Sequence, residues 1–331
     1  RLATAETRDG HASRKGAAVN FPRFVARRMM QLVPVIFGIV LIVFLFVRLI
    51  PGDPASIMLG AYATPDTLAA LRADLGLDRP VWAQFGIFLG DLAQGQFGSS
   101  MVYRRPVLEV VLERMPATMM LTVYAVVLSL LICVPLAVIA ALHNNGLVDQ
   151  IIRSVTTLAL AMPTFWLGLN LLILFAVIMP LFPVAGYGAT FGQRLWHLFL
   201  PALTIALHLA PTLMRTLRST IIEVMQSPHV EFARTKGLPP GKLIRRHVLR
   251  NGLMATVTIL GVNIGWLMGG SVVIENVFNV PGLGSLIISS VDARDYPVIQ
   301  GIALVFGLLV IVINLATDLV YAVLDPRVTY E

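Results

Sequence analysis

The chain alternates between long apolar runs and shorter polar connections. Apolar stretches occupy residues 29–50, 116–142, 151–179, 199–217, 253–278 and 298–324. A helix rises ~1.5 Å per residue, so ~20 apolar residues cross the ~30 Å hydrocarbon core of a bilayer. The pattern therefore predicts six membrane-spanning helices. In the fourth stretch Arg215 and Arg218 fall in the final turns, where long basic side chains can reach the headgroups. The connection at 51–115 is long enough to hold structure of its own. Thr64, Pro65 and Asp66 have the order of an N-cap, a first-turn proline and an early acid, and Gly76 offers a stop after Leu75. From residue 80 to 92, Val81, Trp82, Phe85, Phe88, Leu89 and Leu92 recur at helical spacing against polar Gln84 and Asp91. Such a helix fits the outer membrane interface and equally a seat on the bundle. Residues 106–114 predict a third short helix leading into the second span.

Composition agrees with this pattern. Hydrophobic residues make up 57% of the 331, charged residues 13%, and the mean hydropathy is +0.81. A soluble domain carries about a quarter charged residues, so a soluble globule is excluded. The net charge of +7 comes from basic residues flanking the apolar runs, which argues for anionic lipid and against nucleic acid. Cys133 is the single cysteine, so an intrachain disulfide is impossible, and it is expected to pack as a small hydrophobe. The first 20 residues are polar, and the run at 29–50 is too long for a signal peptide and lacks a small-residue cleavage site after it. It reads as a retained first span.

Basic residues also give a direction. With both termini in the cytoplasm, seventeen Lys and Arg lie inside and seven outside, with Arg48 at the outer end of the first span. The predicted organisation is a cytoplasmic tail (1–28), a first span (29–50), an extracytoplasmic segment with short helices (51–115), a five-helix core (116–324) containing a cytoplasmic loop at 223–252, and a cytoplasmic tail (325–331).

Within the spans, Gly261, Gly265 and Gly269 recur every four residues and make a smooth helix face. Packing inside one subunit, a seam between subunits and a wall of a translocation path are all open readings for them. Asn263 lies beside this stripe, and with Asn170, Asn314 and His208 it is expected to bond neighbouring helices, or to meet water or substrate. Pro135, Pro163 and Pro211 are candidate kinks. His197 and His208 are 11 residues apart and form no recognised metal pair.

The most informative segment is the loop PHVEFARTKGLPPGKLIRRHVLRN, residues 228–251. A short helix over 230–236 would end at Gly237, whose missing Cβ suits a left-handed cap. Pro239 and Pro240 follow, then a second helical run with Lys242, Arg245, Arg246 and Leu249. On residue chemistry alone this is either a solvated basic loop or a rigid knob that receives force from a cytoplasmic partner. GLPPGK lacks the spacing and the final Ser or Thr of a phosphate-binding loop, and its prolines remove N–H donors. ATP chemistry is therefore expected on another polypeptide, and the chain is expected to be no enzyme.

EFARTKG resembles the E-A-A, three residues, G loop of importer permeases of the ATP-binding-cassette (ABC) class. RLIPGDPA, LGLDRPVWAQF, FGSSMVYRRPVLEVVLERMPAT, KGLPPGKLIRRHVLRNGL, GGSVVIENVFNVPGLGSLI, RDYPVIQG and LDPRVTY continue the likeness in order. Together they resemble the dipeptide and oligopeptide permease subfamily, over about residues 24–330. Two departures stand out: Phe232 replaces the small middle residue of the loop, and His247, Val248, Leu249 and Arg250 replace its usual Ile-x-Leu-Pro continuation.

The resemblance implies an all-α, type I ABC importer permease with six transmembrane helices and both termini inside. It further implies a coupling helix in which Glu231, Phe232, Ala233, Arg234, Gly237 and Leu238 meet the ATPase. The implied partners are a second homologous permease, two cytoplasmic ATPase subunits or domains that bind ATP and Mg, and an extracytoplasmic substrate-binding protein, with residues 51–115 and 279–297 as docking surfaces. Within this chain no cofactor is implied. The implied location is the inner membrane and the implied cargo is a peptide, with haem, nickel complexes or modified peptides as alternatives on the same architecture. A secondary transporter would instead call for inverted repeats and charged coupling sites. A membrane enzyme would call for a zinc motif or a Ser/His/Asp constellation.

Overall fold

The computed structural model describes residues 21–49, 55–56, 63–74, 76–244 and 248–324. The tails at 1–20 and 325–331, residues 51–54 and the basic cluster Arg245, Arg246 and His247 lie outside the described residues. Among the described residues the regular structure is helical. In chain order the helices are α1 (Phe21–Leu49), α2 (Pro65–Asp74), α3 (Val81–Ala93), α4 (Val107–Leu142), α5 (Leu147–Ala161), α6 (Thr164–Leu172), α7 (Phe191–Met225), α8 (Pro228–Thr235), α9 (Pro240–Leu243), α10 (Leu249–Val277), α11 (Leu283–Asp292) and α12 (Tyr296–Leu324).

Each predicted apolar stretch falls on a helix. Three of the helical segments, Val107–Leu142, Phe191–Met225 and Tyr296–Thr317, are individually long and apolar enough to cross a membrane. Two bent pairs pass together, Leu147–Ala161 with Thr164–Ile178 and Gly252–Asn263 with Leu267–Val277, while Met30–Phe46 is a shorter apolar segment. The third predicted span is therefore broken. Its halves meet at 100°, because Pro163 has no N–H to continue the ladder and Met162 before it is extended at ψ 132°. Beyond Leu172 the chain widens into one π-helical segment, Ile173–Ile178. The fifth span bends by 66° around the glycine stripe.

The second and fourth spans start earlier than their apolar stretches. At 36 residues α4 is about 54 Å long, well over the ~30 Å hydrocarbon thickness. Its first turns carry Glu109, Glu113 and Arg114, so the expected short helix at 106–114 is the polar overhang of the span itself.

The core forms where α4 meets α7. Ala117, Leu121, Ala125, Ser129, Cys133, Ala137 and Ala141 recur every four residues on α4 and are all buried. This ridge of mostly small side chains admits Leu198, Ile205, Leu209, Leu213, Leu217 and Ile221 of α7. Cys133 packs there as the small hydrophobe expected of it.

Outside this core, α3 resolves the choice its pattern left open: it lies on the bundle. Phe85, Phe88, Leu89 and Leu92 pack around Val40, Val43 and Leu304, and the Phe44 ring meets Phe85 edge-on at 4.9 Å. Trp82 stays 77% exposed on the opposite face. Arg48, isolated in the sequence, stacks 3.5 Å over the Phe44 ring and donates to Gln84 Oε1 at 2.6 and 3.1 Å. Ahead of it, α2 begins with the Thr64 hydroxyl accepting the Thr67 N–H, and Gly76 follows it at φ +63°.

Candidate functional site

The loop between the fourth and fifth spans forms a compact knob. Ser227 is extended, Pro228 opens α8, and the Ser227 carbonyl accepts the Val230 and Glu231 N–H groups at 3.0 and 3.1 Å. At the other end Gly237 sits at φ +77° with its N–H on Arg234 O, and Leu238 N–H reaches Ala233 O at 3.3 Å. A Cβ at Gly237 would meet nothing within 4 Å, so the backbone angle alone calls for glycine there. The helix begins two residues before the predicted span of 230–236 and ends one residue before it.

Burial divides α8 into two faces. Val230 and Ala233 turn inward, into the same core as Leu217 and Ile221 of α7, Leu243 of α9 and Val248 at the start of α10. Glu231, Phe232, Arg234 and Gly237 face outward, and Leu238 is half-buried. Of the six residues expected to meet a partner, Ala233 is thus placed toward the bundle, where its size lets α8 sit close. Phe232 is 61% exposed, with the Lys236 ammonium 4.5 Å over its ring. A large aromatic ring is thus held outward on a capped, core-anchored helix.

Ten residues before this knob, Arg218 belongs to a charged node that sequence reasoning missed. Asp149, in the first turn of α5, is fully buried. Its carboxylate accepts from Arg218 Nε at 2.7 Å and Nη2 at 2.6 Å, and from the Asn145 N–H at 3.1 Å. Arg218 Nη2 also donates to Asn144 Oδ1 at 2.8 Å. Arg218 therefore does not snorkel to lipid; a buried acid on a neighbouring span holds it. The available signal was the turn Asn144-Asn145-Gly146 with an acid one turn later, facing a basic residue at a span end.

At the opposite end of the bundle, residues 279–284 make the irregular turn expected of NVPGLG. Asn279 has φ +47°, and Val280 N–H closes on Glu275 O at 2.8 Å. Glu275, two residues before the end of α10, is fully buried. Its carboxylate accepts from Thr118 Oγ1 at 2.7 Å, Gly284 N–H at 2.7 Å and Ser285 N–H at 3.1 Å. Thr118 in turn accepts the Leu283 N–H at 2.8 Å. A carboxylate on α10 and a hydroxyl on α4 thereby satisfy the first N–H groups of α11. Gly282 and Gly284 are needed for space: a Cβ on the first would run into Glu275 and Thr118, and one on the second would meet Val272 Cα at 2.5 Å.

A second buried acid works on the same end. Asp295, just before α12, accepts from Ser100 Oγ at 2.5 Å and Val102 N–H at 3.2 Å. It fixes the tight turn in which Ser99 bridges Pro106. The segments 97–106 and 291–297 thus form one surface, with Arg104 and Arg294 exposed on it at φ +52° and +55°.

The glycine stripe divides. Gly261 is buried against α12, where a Cβ would strike Thr317; Gly265 lies near Val310; Gly269 is exposed with nothing within 4 Å of a Cβ. Asn263 and Asn170 do not bridge helices, because each amide donates to the carbonyl four residues earlier, Ile259 O and Trp166 O, at 2.7 Å. Gly261→Ala is expected to lower the thermal stability of the purified complex by about 1–3 kcal/mol through overpacking. Gly269→Ala should leave stability unchanged or slightly raised, alanine being the better helix former. A loss of transport in Gly269→Ala with stability intact assigns that residue to a subunit seam or pathway wall.

Among the described residues no group of three or more His, Cys, Asp or Glu side chains is placed to hold a metal. The family model described as binding-protein-dependent transport system inner membrane component matches residues 133–330, and the model of its N-terminal part matches residues 21–122. The glutathione transport system permease protein GsiC of Salmonella choleraesuis (strain SC-B67) is 38% identical over 309 residues, 93% of this chain and 99% of that protein. GsiC of Escherichia coli (strain K12) is 37% identical over the same length. In fold, the chain is similar to an inward-facing structure of the MetNI methionine ABC transporter, with TM-score 0.56 and 16% identity over 65% of this chain and 96% of that one. The apolar helices, the matched family models and the near full-length likeness to GsiC agree: the chain belongs to the binding-protein-dependent transport system inner membrane component family, as a permease subunit of an ABC importer.

Proposed function

We propose that this chain forms half of the passage of an ATP-driven importer of small peptides or peptide-like thiols, and that α8 is its input for force. The observation that carries the proposal is the outward Phe232 on a helix whose inner face is locked to α7. Peptide cargo is supported by the name of the GsiC relatives, which describes glutathione transport. Two ATPase subunits or domains supply ATP and Mg chemistry, and a second related permease completes the passage. Closure of the ATPases displaces α8, and the spans that share its core follow.

Both termini face the cytoplasm in this reading, on the side of α8, and the Asp295 and Glu275 junctions face outward. The surface carrying Arg104 and Arg294 receives the substrate-binding protein, with acidic groups of that protein opposite the two arginines. Reconstitution of the complex with its capture protein in proteoliposomes tests this directly. Radiolabelled glutathione and a dipeptide mixture are expected to accumulate only with internal ATP in the compartment that holds the ATPases. The Arg104→Glu, Arg294→Glu double variant is expected to reduce stimulation of ATP hydrolysis by the liganded capture protein about tenfold or more, as reversing steering charges does. Uptake without ATPase subunits, or full stimulation in the double variant, contradicts the respective assignment.

A further inference from the structure

We propose that Asp149 and Arg218 are positioning residues for coupling: their buried ion pair makes α5 move with the segment of α7 that leads into the force-receiving helix α8. The inference rests on the permease reading above and adds a route by which displacement spreads from α8 to a span that α8 does not itself contact through a buried side chain.

Four observations converge on it. Arg218 lies two turns before the end of α7, and α8 begins only ten residues after it. Leu217 and Ile221, which flank Arg218 on α7, share one core with Val230 and Ala233, so the last turns of α7 and the inner face of α8 form one packed unit. Roughly a quarter turn around α7 from that face, Asp149 grips the guanidinium with both oxygens while it also accepts the Asn145 N–H. The turn that delivers it is itself fixed, with Asn145 at φ +63° and Asn144 accepting a further Arg218 N–H. Arg153, one helical turn on, adds a weaker contact to the same carboxylate at 3.9 Å.

The chemistry suits a rigid link. A two-pronged guanidinium–carboxylate pair resists rotation as well as separation, and with its partners in place the Asp149 side chain has no exposed surface. The outward face of α5 carries Ile151, Val155 and Leu158, and among the described residues the Asp149–Arg218 pair supplies its charged side-chain bond to α7, which fixes its register where apolar packing alone would let it slide. Beyond α5 the chain turns by 100° at Pro163 into α6. Motion of α5 is therefore delivered to an element lying across the bundle, and the broken third span becomes a lever with its short arm at the pair.

The test uses the intact complex in nanodiscs and proteoliposomes. Spin labels at Glu223→Cys on α7 and Val155→Cys on α5 occupy exposed positions, while native Cys133 is buried. In the otherwise unaltered complex the distance between labels is expected to be the same without nucleotide and with trapped ATP. In Asp149→Asn the distribution is expected to broaden and to change with nucleotide. ATP hydrolysed per cargo molecule taken up is expected to rise about tenfold in Asp149→Asn, within the usual range of coupling between sites, and to rise less in Arg218→Lys, which keeps the charge but not the fork.

A distance that already shifts with ATP in the unaltered complex overturns the rigid link. So does a fall of hydrolysis and uptake in equal proportion. Failure of both variants to assemble with the ATPases assigns the pair to folding and overturns the coupling role. The label distances need no cargo, so they separate failure of this inference from failure of the peptide reading, which shows as absent uptake in the unaltered complex.

Discussion

Replacing Phe232 with alanine is expected to weaken binding of the ATPase subunits by about 2 kcal/mol or more, roughly 30-fold, the size of effect seen at aromatic anchors of protein interfaces. The helix itself should survive. Its N-terminal proline, its glycine cap and its inner contacts through Val230 and Ala233 do not involve the Phe232 ring. The ring is 61% exposed in the isolated chain, so its removal opens no internal cavity. Copurification of the ATPases with the permease, followed by ATP hydrolysis in the assembled complex, measures the loss. Binding of cargo to the free capture protein should be unaffected, and the same contrast is expected for Glu231 and Gly237 variants. Normal ATPase retention by Phe232→Ala would remove the outward face of α8 from the interface.

The second large effect is expected at Glu275. Glu275→Ala leaves the Thr118 hydroxyl and the Gly284 and Ser285 N–H groups without their acceptor in a buried site. Each orphaned buried donor costs about 1–3 kcal/mol, so the start of α11 is expected to detach from α10 and α4. Gly284→Ala reaches the same end by another route, since its Cβ would meet Val272 Cα at 2.5 Å, a backbone atom that cannot swing aside. Both variants should show a lower unfolding temperature in nanodiscs and faster hydrogen exchange in residues 279–292. Glu275→Gln keeps the shape and one acceptor, and is expected to fall between the two states. Unchanged exchange in 279–292 for Glu275→Ala would contradict the capping role.

The sequence made the spans legible because apolar length is a direct consequence of lipid thickness, and it made α8 legible because Pro228 and Gly237 mark its ends. The faces of α3 were readable while its seat was not, since packing on lipid and packing on Phe44 select the same residues. The break at Met162 followed from Pro163 only as a candidate kink; its 100° angle depends on what α6 packs against. Least legible were the acids. Asp149, Glu275 and Asp295 each bond groups brought close only by the fold, at separations of 69, 157 and 195 residues for Arg218, Thr118 and Ser100. Asn170 and Asn263 failed as bridges for the opposite reason: each amide bonds a carbonyl one turn back in its own helix.

The clasp between Ser100 and Asp295 also sets an order of biogenesis. Ser100 leaves the ribosome nearly two hundred residues before its acceptor exists. Until then the turn at 99–106 has its own local bonds, among them Tyr103 N–H to Ser100 Oγ, and a chain stopped after the fifth span can never tie it to Asp295. This end of the bundle is therefore finished by the last hairpin to be synthesised, and its completion distinguishes a full-length permease from an interrupted one.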